Sequence, residues 1–378
     1  MQGDSLFAHE HELFRDSFRR FVAAEIEPFH DAWETAGVAP REIWRKAGAA
    51  GFLLPSAPAE YGGGGGDFLH TAVILEEIAR SVVTAVMGFT THSDIVGRYI
   101  LNLGTEEQRR AWLPPMARGE AIWSIAMTEP SAGSDLKAIR TVARRDRDHY
   151  VLSGQKTFIT NGWNADFVLV AAKTDPSAGP RGISLLRVDT RARGFSRGKL
   201  LDKIGLRGQD TAELFFDDIR VPVGDRLGEE NRGFHYLTSE LAHERIMIAI
   251  RCAALIEAAL GWTIEYTKER QAFGKPLFDN QALRFRLAEI RAHVDATRAL
   301  VDRCVGLHLQ GRLTSEDAAV AKLWATEATK LIDDLVQMHG GYGMVREYRI
   351  ARAYTDARPN RIFGGASEVM KEIIARAL

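Results

Sequence analysis

The chain has 378 residues, 46% hydrophobic and 26% charged, which suits two or three domains around a sizeable core and excludes a disordered chain. Its 49 Lys and Arg face 50 Asp and Glu, and the formal charge of −1 gives no long-range field for nucleic acid, so an anionic ligand has to be held locally. Cys252 and Cys304 lack metal-ligand or CxxC spacing, the N-terminus is charged from the start, and no apolar run approaches the roughly 18 residues of a membrane span, which points to a soluble protein in a reducing cytoplasm.

Residues 1–121 read as a helical domain, with apolar residues at helical spacing around Leu13, Phe14, Phe18, Phe21 and Val22 and again at Val73, Ile74 and Ile78. Pro28, residues 37–40, residues 55–66 and the pair Leu103 and Gly104 break it. From 122 to 230 the pattern becomes short β-branched and aromatic runs separated by Gly, Asn and Asp, which predicts a middle antiparallel β-domain rather than a doubly wound nucleotide fold. From 231 to 378 long helical periods return, at about 234–268, 277–310, 315–338 and from Ser367, a four-helix bundle signature. The predicted class is α+β, in the order helices, β-domain, bundle.

Two tempting motifs have plain readings. The five glycines at 62–66 lack the Lys-Ser/Thr and the preceding strand of a phosphate loop, so they read as a flexible helix connection. His9, Glu10, His11 and Glu12 lack the i, i+4 histidine pair of a zinc helix and read as solvated surface; no metal is expected.

Two later segments carry more. In Met127-Thr-Glu-Pro-Ser-Ala-Gly-Ser-Asp135, small hydroxyl residues and free backbone N–H groups can surround a phosphate or a polar ring edge, though alone the segment is a turn. In Lys156-Thr-Phe-Ile-Thr-Asn161, Phe158 can stack on a flat ring while Thr160 presents a hydroxyl, though alone it is a strand end. Together and in this order they resemble the flavin-binding strands of the acyl-CoA dehydrogenase family, TEPxxGSD followed by K-x-W/F-I-T/S-N. Arg270-Gln-Ala-Phe-Gly274, Gln281, Gln337-Met-His-Gly-Gly341 and Ile362-Phe-Gly-Gly-Ala-Ser-Glu368 follow in register, so the resemblance covers essentially the whole chain.

The resemblance implies one non-covalent FAD at the junction of the three domains and a homotetramer built as a dimer of dimers. It places Met127, Thr128 and Thr160 at the flavin edge, Phe158 against the ring system, and Ser134 near the flavin or the substrate's CoA chain. Arg270, Phe273, Gln281, Gln337, Gly340 and Gly341 would serve the ADP half, in part across a subunit interface, with Ser367 and Glu368 as further cofactor contacts. A guanidinium suits a pyrophosphate because it can engage it in bidentate fashion.

The implied reaction removes an α-proton from an acyl thioester as the β-hydrogen leaves as hydride, introducing a trans α,β double bond. The medium-chain branch carries its base in the segment that here reads Ile362-Phe363-Gly364-Gly365, where Gly364 has no carboxylate. The long-chain and isovaleryl branches carry a glutamate in a segment resembling Leu241-Ala-His-Glu-Arg245, which Glu244 matches. Helix geometry agrees, because Leu237, Leu241, Glu244, Ile248 and Leu255 share one stripe and Glu244 interrupts it, where burial raises a carboxyl's pKa toward a base's range. The alternative on geometry alone is a buried glutamate paired with Arg245 or Arg251.

By the same resemblance, the backbone N–H of Gly364 would donate to the thioester oxygen. His235, Tyr236, Arg245 and Gly365 would line or position the substrate channel. Two departures stand out: Ala366 where the family often has threonine, and Phe158 in place of the commoner tryptophan. The expected electron acceptor is an electron-transferring flavoprotein. The competing readings are a same-fold flavin monooxygenase or oxidase, and a non-catalytic FAD-binding subunit of a mixed oligomer.

Overall fold

The computed structural model describes residues 6–378. The N-terminal part is helical, with its principal helices at His9–Phe21, His30–Ala36, Arg41–Ala49, Phe68–Ser81, Gly97–Leu103 and Glu106–Ala117. Local chemistry sets several ends. Gly37 closes His30–Ala36 at φ +73°, Asp67 caps Phe68–Ser81 through the Leu69 N–H, and Thr105 with Gln108 forms a capping box on Glu106–Ala117. Phe18, Trp44, Phe52, Ile78 and Trp123 belong to one apolar core that also takes in the first strand of the next domain.

Two local expectations are corrected. His11 is buried rather than solvated: the Ala8 N–H donates to its Nδ1 at 2.9 Å, and its Nε2 lies 3.1 Å from Asp67 Oδ1. With Nδ1 accepting, Nε2 carries the proton and donates to Asp67, so although His11, Asp67 and His70 cluster, the His11 ring is already committed on both sides. The glycine run is a tight connection rather than a flexible one. Gly63, Gly64, Gly65 and Gly66 each donate a backbone bond to residues 54–58, and a Cβ on Gly63 would lie 2.3 Å from the Ala57 carbonyl oxygen.

The middle part is an eight-stranded sheet, with β1 Trp123–Ala126, β2 Val142–Asp146, β3 His149–Thr160, β4 Phe167–Lys173, β5 Ile183–Asp189, β6 Phe195–Leu200, β7 Thr211–Pro222 and β8 Arg226–Leu227. The path runs β6-β7-β3-β2-β4-β5-β8, with β1 on β4. Most ladders are antiparallel as expected, but β1 and β2 both run parallel to β4, so the sheet is mixed. β1 and then β2 lie along successive stretches of the same edge of β4, and the β2–β3 hairpin carries the chain back so that β4 starts in the same direction. The β3–β7 ladder slips between Lys156 and Ile159, a bulge that frees the intervening residues from the pleat.

In the C-terminal part the long helices are Gly233–Glu269 and Gln281–Leu309, followed by Ser315–Ala328, which continues through a 3₁₀ turn into Ile332–His339. The helix Arg349–Ala357 was not anticipated, and the terminal helix Ser367–Ala375 is short. Against the expectation that no apolar run approaches a membrane span, Gly233–Glu269 is long and apolar enough to cross a membrane, yet 72% of its apolar stretch is buried inside the protein, which marks a core helix. It packs on Phe68–Ser81 on one side and on Ser315–Ala328 on another, and so spans from the N-terminal part to the far end of the bundle.

Candidate active site

The two sequence segments that looked like ring-binding elements are clipped together by a buried ion pair. Lys156 Nζ donates to Glu129 Oε1 and to the Met127 carbonyl, each at 2.9 Å, and the Thr157 N–H donates to the Thr128 carbonyl at 3.0 Å. Glu129 also accepts from the Arg140 and Thr141 backbones, so its pair with Lys156 is fully hydrogen-bonded. The Glu and Lys inside these motifs thus have a structural task that sequence reading did not assign: they fix Met127 and Thr128 beside the end of β3.

At the β3 bulge Phe158 sits at φ +59° and is 66% exposed. A bulky residue in that region costs about 1–3 kcal/mol, and such strain persists only where the surroundings enforce it. A strained backbone holding an aromatic face out to solvent fits a flat partner that covers it. Thr160 Oγ1 accepts from Gln209 Nε2 at 2.8 Å, which leaves its own proton available to an outside acceptor, while Ser134, in the 127–135 segment, is exposed. Asn161, at φ +61°, donates to the Gly88 and Trp123 carbonyls and docks this strand end onto the helical part.

Glu244 lies in the first third of the long helix Gly233–Glu269 and is 7% exposed. Tyr99, itself buried, donates to Glu244 Oε1 at 3.3 Å. Neither expected arginine pairs with it among the described residues. Arg245 Nη1 donates to Ser315 Oγ at 3.0 Å, tying two bundle helices, and Arg251 reaches Met87 Sδ at 3.5 Å and lies 5.1 Å from the centroid of the Phe363 ring. Burial pushes the Glu244 carboxyl up from 4.5 to about 7, with Glu240 adding to the rise while the Tyr99 hydroxyl and the Arg245 charge oppose it. One turn earlier, Glu240 is held by Arg98 at 2.6 Å and Asn102 at 2.8 Å, so the two carboxylates have opposite surroundings.

The turn at 362–366 sits over this helix. Gly364 and Gly365 are at φ +63° and +94°, and a Cβ on Gly364 would come 2.3 Å from Ile248 Cδ1. Ile248 is one turn beyond Glu244 and Arg251 one further, so a single stripe carries the carboxyl, the Gly364 contact and the Phe363 contact. The Gly364 N–H has no acceptor among the described residues, which leaves it available to a ligand oxygen. The opposite end of the turn is anchored: Lys322 Nζ donates to the Gly365 carbonyl at 2.6 Å, and Ser367 Oγ donates to Glu327 at 2.7 Å.

The remaining expected residues fall elsewhere. Arg270, Gln337, Gly340 and Gly341 line one pocket of about 510 Å³, together with Tyr266, His339 and Tyr342. This pocket lies at the other end of the long helix: from Glu244 to Tyr266, at a rise of about 1.5 Å per residue, is about 33 Å. Phe273 projects from a hairpin tip at 103% exposure and Gln281 is exposed beyond it; neither lines the pocket. His235 is exposed, Tyr236 takes the Glu229 N–H on its hydroxyl, and Glu368 is exposed in the first turn of its helix.

Comparison with known proteins supplies the family. Models described as the acyl-CoA dehydrogenase N-terminal, middle and C-terminal domains match residues 8–120, 124–219 and 231–378. The long-chain specific acyl-CoA dehydrogenase, mitochondrial, of Sus scrofa is 48% identical over 376 residues, 99% of this chain and 87% of that protein. The crystal structure of an acyl-CoA dehydrogenase from Geobacillus kaustophilus superposes with a TM-score of 0.96 at 45% identity, covering 98% of both chains. A glutaryl-CoA dehydrogenase from Mycobacterium smegmatis in complex with FADH2 superposes with a TM-score of 0.92 at 28% identity, covering 100% of this chain and 96% of that one.

Proposed function

The chain belongs to the acyl-CoA dehydrogenase family, FAD-dependent oxidoreductases acting on the CH–CH bond of acyl-CoA, and we propose that Glu244 is the base that removes the α-proton. The supporting observation is a carboxyl without a cationic partner, dry and raised to about 7, on the stripe that faces the Gly364 turn. A base with a pKa near the working pH combines a useful deprotonated fraction with proton affinity. A non-catalytic subunit has no use for so costly a group.

Each remaining step falls to a residue of this chain. Glu244 takes the α-proton, and the Tyr99 hydroxyl limits the carboxylate's rotation through its hydrogen bond. The free Gly364 N–H donates to the thioester oxygen as charge builds there. Thr128, Phe158 and Thr160 would hold the ring of FAD, with Met127 and Ser134 beside them; bound FAD supplies the hydride acceptor.

Arg270, Gln337, Gly340 and Gly341 would hold the ADP half of FAD. Their pocket stands about 33 Å along the helix from Glu244, too far to serve the same bound cofactor, so each pocket completes the site of a neighbouring copy. This supports an oligomer whose sites span two subunits, as the expected homotetramer would have, with Phe273 and Gln281 reaching into the neighbour, while the bond of Arg245 to Ser315 makes it a tie between bundle helices. Electron-transferring flavoprotein takes the electrons. Both cysteines are buried and free, which fits a compartment that keeps thiols reduced.

The deciding experiment is anaerobic: acyl-CoA thioesters of straight, branched and aromatic chains are mixed with the purified flavoprotein. Bleaching of the flavin by at least one of them is expected, and its loss in Glu244→Gln with flavin content intact. Reduction only by a nicotinamide-dependent reductase would instead indicate an O₂-activating enzyme.

A further inference from the structure

Among the described residues two lysine side chains, Lys156 and Lys322, are essentially fully buried, and they are used differently. Lys156 pairs with Glu129 at 2.9 Å. Lys322, at 0% exposure on the helix Ser315–Ala328, has no carboxylate within ion-pair distance among the described residues, and the hydrogen bond of its Nζ goes to the Gly365 carbonyl at 2.6 Å. A buried cation is costly, and a neutral donor would suffice for a merely structural tie to one carbonyl.

The turn it grips needs holding. Two successive glycines at positive φ have many alternatives in the unfolded chain and little intrinsic preference for this one. On one side Gly364 rests against Ile248, one turn past Glu244; on the other, the Gly365 carbonyl is drawn onto the neighbouring helix by Lys322. Shifting that carbonyl shifts the Gly364 N–H relative to the carboxyl of Glu244, and misplacement by about 1 Å can cost about a hundredfold in rate.

We propose that Lys322 is a positioning residue of this active site, the buried ammonium that fixes the two-glycine turn at its working distance from Glu244. The inference rests on the reading of Glu244 as base. Burial lowers the Lys322 ammonium from 10.5 to about 8; nearby Cys252 and Glu327 raise it, and Arg245 and Arg251 lower it. The tie is therefore charged at neutral pH and weakens as pH rises through about 8.

The test uses the FAD-loaded enzyme, with palmitoyl-CoA as probe and Lys322→Met and Lys322→Arg as variants. Lys322→Met is expected to lose at least tenfold in kcat with KM changed less than threefold and flavin content retained, and to lose an alkaline decline that the wild type shows near pH 8; Lys322→Arg is expected to recover part of the loss. A kcat within twofold of wild type, or the same alkaline decline in Lys322→Met, overturns the proposal. If Lys322→Met does not assemble, the wild-type profile decides, and a flat kcat from about pH 7 to about pH 9.5 overturns it. Glu244→Gln, run in parallel, separates the failures: an active Glu244→Gln sinks the base assignment, whereas an inactive one beside a fully active Lys322→Met sinks only the role of Lys322.

Discussion

Gly364 packs directly on Ile248: a Cβ on the glycine would lie 2.3 Å from Ile248 Cδ1, so the tip of that side chain would have to turn aside, and the φ of +63° disfavours any other residue whatever the space. Gly364→Ala is therefore expected to lower stability by about 1–3 kcal/mol and turnover by at least about tenfold. Adding Ile248→Ala should restore part of the stability, because the clash is removed while the φ strain stays. Denaturant melts of the single and double variants check this; equal stability of both would show that the contact is not the cause.

Replacing Glu244 by Gln keeps the shape and removes the proton acceptor. A loss of about 10²–10⁴-fold in kcat is expected, with unchanged flavin absorbance per chain. Stopped-flow flavin reduction is the measurement, and reduction at the wild-type rate would exclude the assignment.

Glu244 also gives stability a signed dependence on pH. Its folded pKa is raised from 4.5 to about 7, so the folded state binds the proton more tightly than the unfolded chain. That contribution is fully present below pH 4.5 and is lost as pH rises through about 7. Glu244→Gln should accordingly leave stability near unchanged at about pH 5 and raise it at about pH 8, by on the order of 1–3 kcal/mol. Melting curves of both proteins at the two pH values decide the sign. The same ionisation predicts an acid limb near pH 7 in kcat/KM, absent only if another group is the base.

Phe158 is expected to matter for cofactor retention and not for the fold. Phe158→Ala should weaken FAD binding by about tenfold, the worth of about 1.4 kcal/mol of ring contact, with little change in the melting of the apoprotein. Phe158→Gly, which relieves the φ of +59°, should melt at a higher temperature than Phe158→Ala in the apo form. Flavin release followed by fluorescence separates the two effects.

The distance between Glu244 and the Arg270 pocket predicts complementation. Arg270→Ala and Glu244→Gln subunits, each inactive alone, should regain a measurable fraction of activity when refolded together, since one supplies the base and the other the distant pocket. Activity no greater than that of the separate variants would place both groups in one subunit's site.

Much of the architecture was legible because helical and strand periods differ. The breaks at Gly37 and at Leu103 and Gly104 coincide with real element ends, and Pro28 falls inside the 3₁₀ turn Glu27–Phe29 that joins two helical stretches. The burial of Glu244 was legible because a single carboxylate interrupts an apolar stripe, whereas its assignment as base came from the family resemblance. Lys322 was not: on a helix that begins Ser-Glu-Asp it reads as one more surface charge, and its burial depends on the turn packed against it from some forty residues downstream. The helix Arg349–Ala357 escaped because its apolar residues are few and mostly alanine, and the parallel pairing of β1 with β4 depends on the chain's return through the β2–β3 hairpin, which no local period encodes. His11 looked solvated because its neighbours in sequence are polar; Asp67, which buries it, is brought in by the fold.

The long helix Gly233–Glu269 imposes a hazard on the newly made chain. Unfolded, it displays an apolar stretch as long as a membrane span, which docking against Phe68–Ser81, Gln281–Leu309, Ser315–Ala328 and the helices that follow conceals. Variants that delay that docking, even without touching Glu244, should be lost to membrane association or aggregation during synthesis, so low yield with full specific activity in the surviving fraction would be their signature.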